Sequence, residues 1–174
     1  MSISTRNLWP EDIAVSEDVP PVSILKEQGV LLGQRTNNLV EGRVRGGSSD
    51  YEKKYLSPSE YDRTQFHYTF ELVAPLLDEY RYELFGISHG VDSYPVRIDW
   101  DSPDSLMLLK VSGEAGIEDE EQFLKALEII FASAKTRKVI ASLVAQSRAV
   151  GPSRKVERSV SYAPAAEAEE AEEW

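Results

Sequence analysis

Acidic side chains cluster around Trp100, where they could carry out metal-dependent or acid–base chemistry. The cluster consists of Asp92, Asp99, Asp101 and Asp104. Carboxylates are ligands that Mg²⁺ prefers, and a pair of them can also act as general acid and general base. Strand alternation would place Asp99 and Asp101 on one face, and Lys110 could supply the basic residue of a nuclease-type site. This pattern raises the hypothesis of a metal-dependent hydrolase. The alternative is a solvated acidic sheet edge that discourages aggregation.

Other residue types that carry catalysis are scarce. The 174-residue chain contains two histidines and no cysteine, which excludes disulfides, thiolate zinc sites and cysteine nucleophiles. A general base at His67 would need a nearby carboxylate, and Glu71 is four residues, or about 13 Å, further along the predicted strand. His89 falls in a predicted turn. Both histidines are interpreted as structural, and we expect no catalytic residue, no resident metal and no cofactor.

One glycine-rich segment, Ser112–Ile117, joins a predicted strand to a predicted helix, as phosphate-binding loops do. It lacks the length and the lysine of a P-loop. Glu114 and the acidic run at 118–121 would also repel phosphate. We interpret this segment as a turn.

The charge alternates along the chain. The 19 Lys and Arg against 30 Asp and Glu give a net charge of −11, which argues against a surface built to attract phosphate. Residues 64–133 carry −10, residues 134–158 carry +6, and residues 163–174 carry −5. The basic segment contains Lys135, Arg137, Lys138, Arg148, Arg154, Lys155 and Arg158. This acidic, basic, acidic succession is the most distinctive feature of the sequence.

The acidic segment is the clearest candidate for partner binding. Its functional residues would be Glu167, Glu169, Glu170, Glu172, Glu173 and Trp174. Over these residues the segment, an acidic stretch that ends in an aromatic residue, resembles the C-terminal tails of single-stranded-DNA-binding proteins. That resemblance implies a tail that recruits partners or competes with DNA for a basic groove. The alternative is a solubilising segment whose glutamates pair loosely with the basic residues of 135–158.

The chain is predicted to contain one α+β domain at residues 20–150, after a flexible N-terminal arm (1–19) and before a disordered, basic-then-acidic tail (151–174). Pro21 presets the first turn of an N-terminal helix, and apolar residues follow at helical spacing. The alternative for this region is a hairpin with strands at 29–36 and 39–45. The pair Gly29 and Gly33 indicates close packing of the helix against a neighbour.

Period-two alternation predicts an antiparallel meander of four or five strands. The predicted strands are Leu39–Val44, Gln65–Val73, 80–85, Tyr94–Trp100 and Leu106–Val111. In the third, Tyr80, Tyr82 and Leu84 would face one way and Phe85 the other. The aromatic residues of the strands are expected to form the core, with a base-stacking platform as the alternative.

Two helices close the domain. Asp119 is predicted to cap the first and Thr136 the second, and Gly151 with Pro152 is predicted to end the second. No apolar run approaches the length that spans a bilayer, so we expect a cytoplasmic protein that does not bind membranes.

These features favour a non-catalytic, intracellular protein–protein interaction module. A bacterial accessory protein, or an immunity or antitoxin-type protein that binds a basic partner by charge complementarity, fits the size and charge. A single-stranded nucleic-acid-binding protein with a regulatory acidic tail is the second hypothesis. The metal-dependent hydrolase of Asp99, Asp101, Asp104 and Lys110 is the third. A protein partner is expected, nucleic acid is not favoured, and a homodimer is left open.

Overall fold

The computed structural model describes residues 19–47, 65–113 and 115–151. The described residues form α1 (Pro21–Arg35), β1 (Glu41–Gly46), β2 (Phe66–Ala74), β3 (Tyr80–His89), β4 (Val96–Asp99), a 3₁₀ helix (Pro103–Lys110), α2 (Glu120–Ala132) and α3 (Ala134–Val150). The four strands make one antiparallel sheet in the order β1-β2-β3-β4. The predicted α+β meander is confirmed. Residues 1–18 of the predicted arm and 152–174 of the predicted tail lie outside the described residues.

The N-terminal helix is confirmed, and the alternative hairpin is wrong. Pro21 stands at the first helical position, where its missing N–H costs no hydrogen bond. Asn37 and Asn38, with φ of 53° and 58°, turn the chain after the helix, because asparagine tolerates the left-handed region. The following strand β1 pairs with β2, not with residues 29–36.

Helix α1 rests on β1 through a contact between two glycines. A Cβ atom on Gly29 would overlap the carbonyl oxygen of Gly42, and a Cβ atom on Gly42 would lie 2.6 Å from the Cα of Gly29. The two backbones therefore touch without side chains between them. The close packing indicated by Gly29 and Gly33 is confirmed at Gly29. At Gly33 the nearest atom to a Cβ is the Asn38 side-chain oxygen at 3.1 Å.

The alternation predicted for β3 is wrong at Phe85 because the strand contains a bulge. Phe70 pairs with Phe85, but the next residue, Glu71, pairs with Glu83, so Leu84 has no partner on β2. An extra residue in one strand resets the side-chain alternation. As a result Leu84 and Phe85 are both buried, at 4% and 2% exposure.

The sheet has one apolar face and one charged face. On the apolar face, the Phe70 ring lies 5.4 Å from that of Phe85 and 5.8 Å from that of Phe131 in α2. On the other face, Glu71 is only 6% exposed. Its carboxylate accepts a hydrogen bond from Arg45 Nε at 2.6 Å and forms an ion pair with Arg81 Nη1 at 3.5 Å. This pairing offsets the cost of burying the Glu71 charge.

The predicted last strand, Leu106–Val111, is instead the 3₁₀ helix. Pro103 begins it, and the Ser102 hydroxyl caps it by accepting the Asp104 N–H at 3.3 Å. A short continuous apolar run does not by itself distinguish a strand from a helix. Here the preceding pair Ser102 and Pro103 favours a helix start.

The C-terminal helices form at the predicted places, with one correction to a cap. Asp119 Oδ1 accepts the Gln122 N–H at 2.8 Å and caps α2, as predicted. Ser133, not Thr136, caps α3, and its hydroxyl accepts the Thr136 N–H at 3.2 Å. Thr136 is fully buried one turn later. Helix α3 ends at Gly151, whose φ is 69°.

Candidate functional site

The 3₁₀ helix exposes large apolar side chains. Leu106 is 72% exposed, Leu109 69% and Met107 45%, whereas Leu108 is the one buried residue of this helix. Single exposed apolar residues are common on protein surfaces, whereas several on one short element make a candidate interaction surface. We call the side chains of Leu106, Met107 and Leu109 the leucine surface.

Carboxylates accompany the leucine surface. Asp101 precedes the 3₁₀ helix, and Asp104 lies in its first turn. Asp104 and Met107 also line a cavity of about 300 Å³ that the 3₁₀ helix forms with Ile129 and Ala132 of α2. Lys110 ends the same helix, and Lys135 Nζ donates to the backbone oxygen of Asp101, so the carboxylates make only part of these surroundings acidic.

The first turn of α2 adds further negative charge. Its acidic residues are Glu120 and Glu121, directly after the capping Asp119. Glu121 accepts a hydrogen bond from Lys125 Nζ at 2.7 Å, and this bond raises the pKa of Lys125 above its ordinary value. Lys125 thus neutralises part of the acidic run but leaves Glu120 without an ion pair to a described residue.

A groove of about 570 Å³ separates the β2–β3 hairpin end from α3. Its apolar lining consists of Leu77, Tyr80, Tyr82, Val139 and Leu143, and its polar lining of Lys135, Lys138, Ser142 and Gln146. Tyr80 is 49% exposed. We call this feature the lysine groove. It combines aromatic surface with positive charge.

The cations of α3 form no ion pairs with described residues. They are Lys135, Arg137, Lys138 and Arg148, whereas the described ion pairs use Arg43, Arg45, Arg81 and Lys125. Lys135 Nζ instead donates to the backbone oxygen of Asp101. Helix α3 contains no acidic residue. The predicted basic segment is therefore, in its described part, one helix of uncompensated positive charge.

The remaining residues of the two predicted binding segments lie beyond Gly151, outside the described part of the chain. Arg154, Lys155 and Arg158 of the basic segment lie outside the described residues. The same holds for Glu167, Glu169, Glu170, Glu172, Glu173 and Trp174.

The aspartates of the hydrolase hypothesis are not brought together. Strand β4 ends at Asp99, so the alternation that placed Asp101 on its face does not continue to Asp101. Asp104 and Lys110 stand at opposite ends of the 3₁₀ helix. Across residues 19–47, 65–113 and 115–151, no group of three acidic or histidine side chains could hold a metal ion.

The histidines lie on β2 and β3. His89 is the last residue of β3, not part of a turn. Its Nδ1 lies 2.8 Å from the carbonyl oxygen of Gly90, so Nδ1 donates the hydrogen bond. The ring lies 5.6 Å from that of Phe66 and 6.0 Å from that of Tyr68. His67 lies in β2, as predicted.

Two further interpretations can be compared with the structure. Gly113 and Gly116 hydrogen-bond to each other through their backbones, as expected for residues that flank a turn. Among the aromatic strand residues, Phe70 and Trp100 are buried in the core at 1% and 5% exposure. Tyr80 and Tyr82 instead line the lysine groove.

Comparison with protein-family models, with curated proteins and with solved structures finds no match for this chain. None of the helices in the described part of the chain combines the length and the hydropathy that crossing a bilayer requires.

Sequence reasoning missed the leucine surface because it assigned Leu106 and Leu109 to a strand. A signal was present: Ser102 and Pro103 directly precede the apolar run, and this pair is typical of a helix start. The lysine groove was missed for a different reason. Its two walls, at residues 77–82 and 135–146, are far apart in the sequence.

Proposed function

We propose that this protein is a non-catalytic, intracellular interaction module that binds a basic protein partner through the leucine surface. The observation that carries the proposal is the exposure of Leu106 and Leu109 beside Asp101 and Asp104. An accessory protein, or an immunity or antitoxin-type protein, would use such an acidic surface to bind a basic partner by charge complementarity. The lack of cysteine fits a reducing compartment.

The leucines and the carboxylates are expected to make different contributions to binding. Burying a leucine side chain stabilises a complex by about 1.5–3 kcal/mol, so Leu106 and Leu109 would supply most of the affinity. The carboxylates would chiefly steer the encounter and select a partner of opposite charge. Affinity is then expected to depend on the leucines, and the association rate on ionic strength.

The double substitution Leu106→Ser with Leu109→Ser is expected to weaken partner binding by about a hundredfold or more, because about 3 kcal/mol of apolar burial is lost. The full chain, immobilised, would capture partners from nuclease-treated extract of the source cells, and mass spectrometry would identify them. Binding of the purified partner to each variant would then be measured by titration calorimetry at two salt concentrations.

Val91→Ser is the matched control, since Val91 is 85% exposed but lies in the loop between β3 and β4. It should leave binding unchanged. The proposal would be contradicted by a partner that binds equally well to the Leu106→Ser/Leu109→Ser variant and to the Val91→Ser variant. An acidic partner whose binding does not weaken in salt would also contradict it.

A second candidate function, single-stranded nucleic-acid binding, is favoured by the lysine groove. Tyr80 and Tyr82 could stack on bases while Lys135 and Lys138 contact phosphates. Stacking on one aromatic ring contributes about 1–3 kcal/mol per base. The net charge of −11 opposes this function, which is why it stands second.

Tyr80→Ala is expected to weaken binding of a labelled oligothymidylate by about tenfold, the loss of one stacked base. Fluorescence anisotropy of the full chain at low and moderate salt would measure it. Phe66→Ala, which removes an exposed aromatic ring outside the groove, is the control. Equal binding by both variants would exclude the groove as the nucleic-acid site.

A further inference from the structure

We infer that the acidic segment Glu167–Trp174 binds in the lysine groove of its own chain. This inference concerns a different surface from the leucine surface and does not depend on the proposed partner. It assigns the groove an occupant of defined chemistry: a glutamate-rich peptide segment with one large aromatic anchor.

Charge complementarity is the first argument. Helix α3 carries four cations that form no ion pair with described residues, in a chain whose net charge is −11. The segment 163–174 carries five glutamates and no basic residue. A single exposed ion pair contributes little, but several charges on each side act together. Lys135 and Lys138 lie on the groove side of α3.

The apolar lining of the groove provides the second argument. Leu77, Tyr80 and Tyr82 on one wall face Val139 and Leu143 on the other. An aromatic side chain inserted between such walls is the usual anchor of a peptide interface. Trp174 is the one aromatic residue of the segment 163–174, and its indole would fill the space between the tyrosines and α3.

The chain is long enough to reach. Lys138 lies about 20 Å from Gly151 along α3, at a rise of 1.5 Å per residue. Residues 152–166 can span up to about 50 Å, so Glu167–Trp174 can return along α3 to the groove. Because the segment is tethered, its effective concentration at the groove is in the millimolar range, and a weak contact suffices for occupancy.

Zero-length carbodiimide cross-linking of the full chain tests the inference, since it joins only carboxylates and amines in direct contact. Glutamates 167–173 are expected to couple to Lys135 and Lys138 at least about fivefold more often than to Lys26, Lys110 or Lys125, a ratio that corresponds to about 1 kcal/mol. Mixing isotopically light and heavy protein distinguishes coupling within one chain from coupling between chains.

Matched variants locate the contact. Lys138→Glu should lower coupling to Lys135 by at least about fivefold, because it replaces attraction by repulsion at the groove. Arg148→Glu makes the same charge reversal on α3 but outside the groove lining, and its effect should stay below about twofold. Trp174→Ala should lower coupling at both lysines. Far-ultraviolet circular dichroism would verify that each variant is folded.

Three results would overturn the inference. They are equal coupling to all of the compared lysines, coupling only between light and heavy chains, and equal effects of Lys138→Glu and Arg148→Glu. None of them bears on partner binding at Leu106 and Leu109, so the failure of one proposal leaves the other to its own test.

Discussion

Gly29→Ala should lower the free energy of unfolding by about 3 kcal/mol, although alanine favours a helix over glycine by about 1 kcal/mol. The reason is the contact between α1 and β1. The new Cβ atom would overlap the carbonyl oxygen of Gly42, a backbone atom held in the β1–β2 ladder by the pairing of Gly42 with Leu72. Neither backbone can distort locally without breaking hydrogen bonds, so α1 must shift as a unit away from the sheet. Chemical denaturation followed by circular dichroism would measure the change.

Gly33→Ala is the matched control because it makes the same substitution one turn later in the same helix. The nearest atom to its Cβ is the side-chain oxygen of Asn38 at 3.1 Å, and a side chain can rotate. We therefore expect Gly33→Ala to change stability by less than about 1 kcal/mol, in the stabilising direction. Equal effects of the two substitutions would show that helix propensity, not the contact with Gly42, governs how substitutions in α1 change the free energy of unfolding.

Phe70→Ala is expected to destabilise the protein by about 3–5 kcal/mol, the loss typical of a large buried side chain. Phe70 is 1% exposed and stacks on Phe85 while also contacting Phe131. Its ring therefore joins the sheet to α2, and its removal would leave a cavity between these two layers. Denaturant unfolding would give the free energy.

The same substitution at Phe66 provides the comparison. Phe66 lies on the same strand, four residues away, but is 48% exposed, and its ring lies 5.6 Å from that of His89. Phe66→Ala should cost no more than about 1 kcal/mol. Similar losses at both positions would mean that the rings of Phe70, Phe85 and Phe131 do not form the main core of the domain.

Local signals were sufficient for most elements of the fold. Pro21 and the asparagines at 37 and 38 delimit α1, and Asp119 caps α2, because the bonds that start and stop helices involve only neighbouring residues. Strand β2 was predicted from its alternation. Even the tight packing at Gly29 was indicated by its spacing from Gly33, although the sequence did not name Gly42 as the partner.

Local signals were insufficient where a residue's environment depends on a distant segment. Phe85 became a core residue because a bulge against β2 resets the alternation of β3, and a bulge is decided by pairing between strands. The same limit applies to the lysine groove, whose tyrosines and lysines are more than fifty residues apart in the chain.

Composition and adjacent residues were enough to predict the class of the fold, both ends of α1, the start of α2, the alternation of charge and the scarcity of catalytic residue types. Tertiary packing leaves Leu106 and Leu109 exposed, keeps the aspartates apart and places Tyr80 opposite the cations of α3. The physical reason is that helix caps and composition depend on adjacent residues. Burial and the meeting of charges depend on which distant surfaces the folded chain brings into contact.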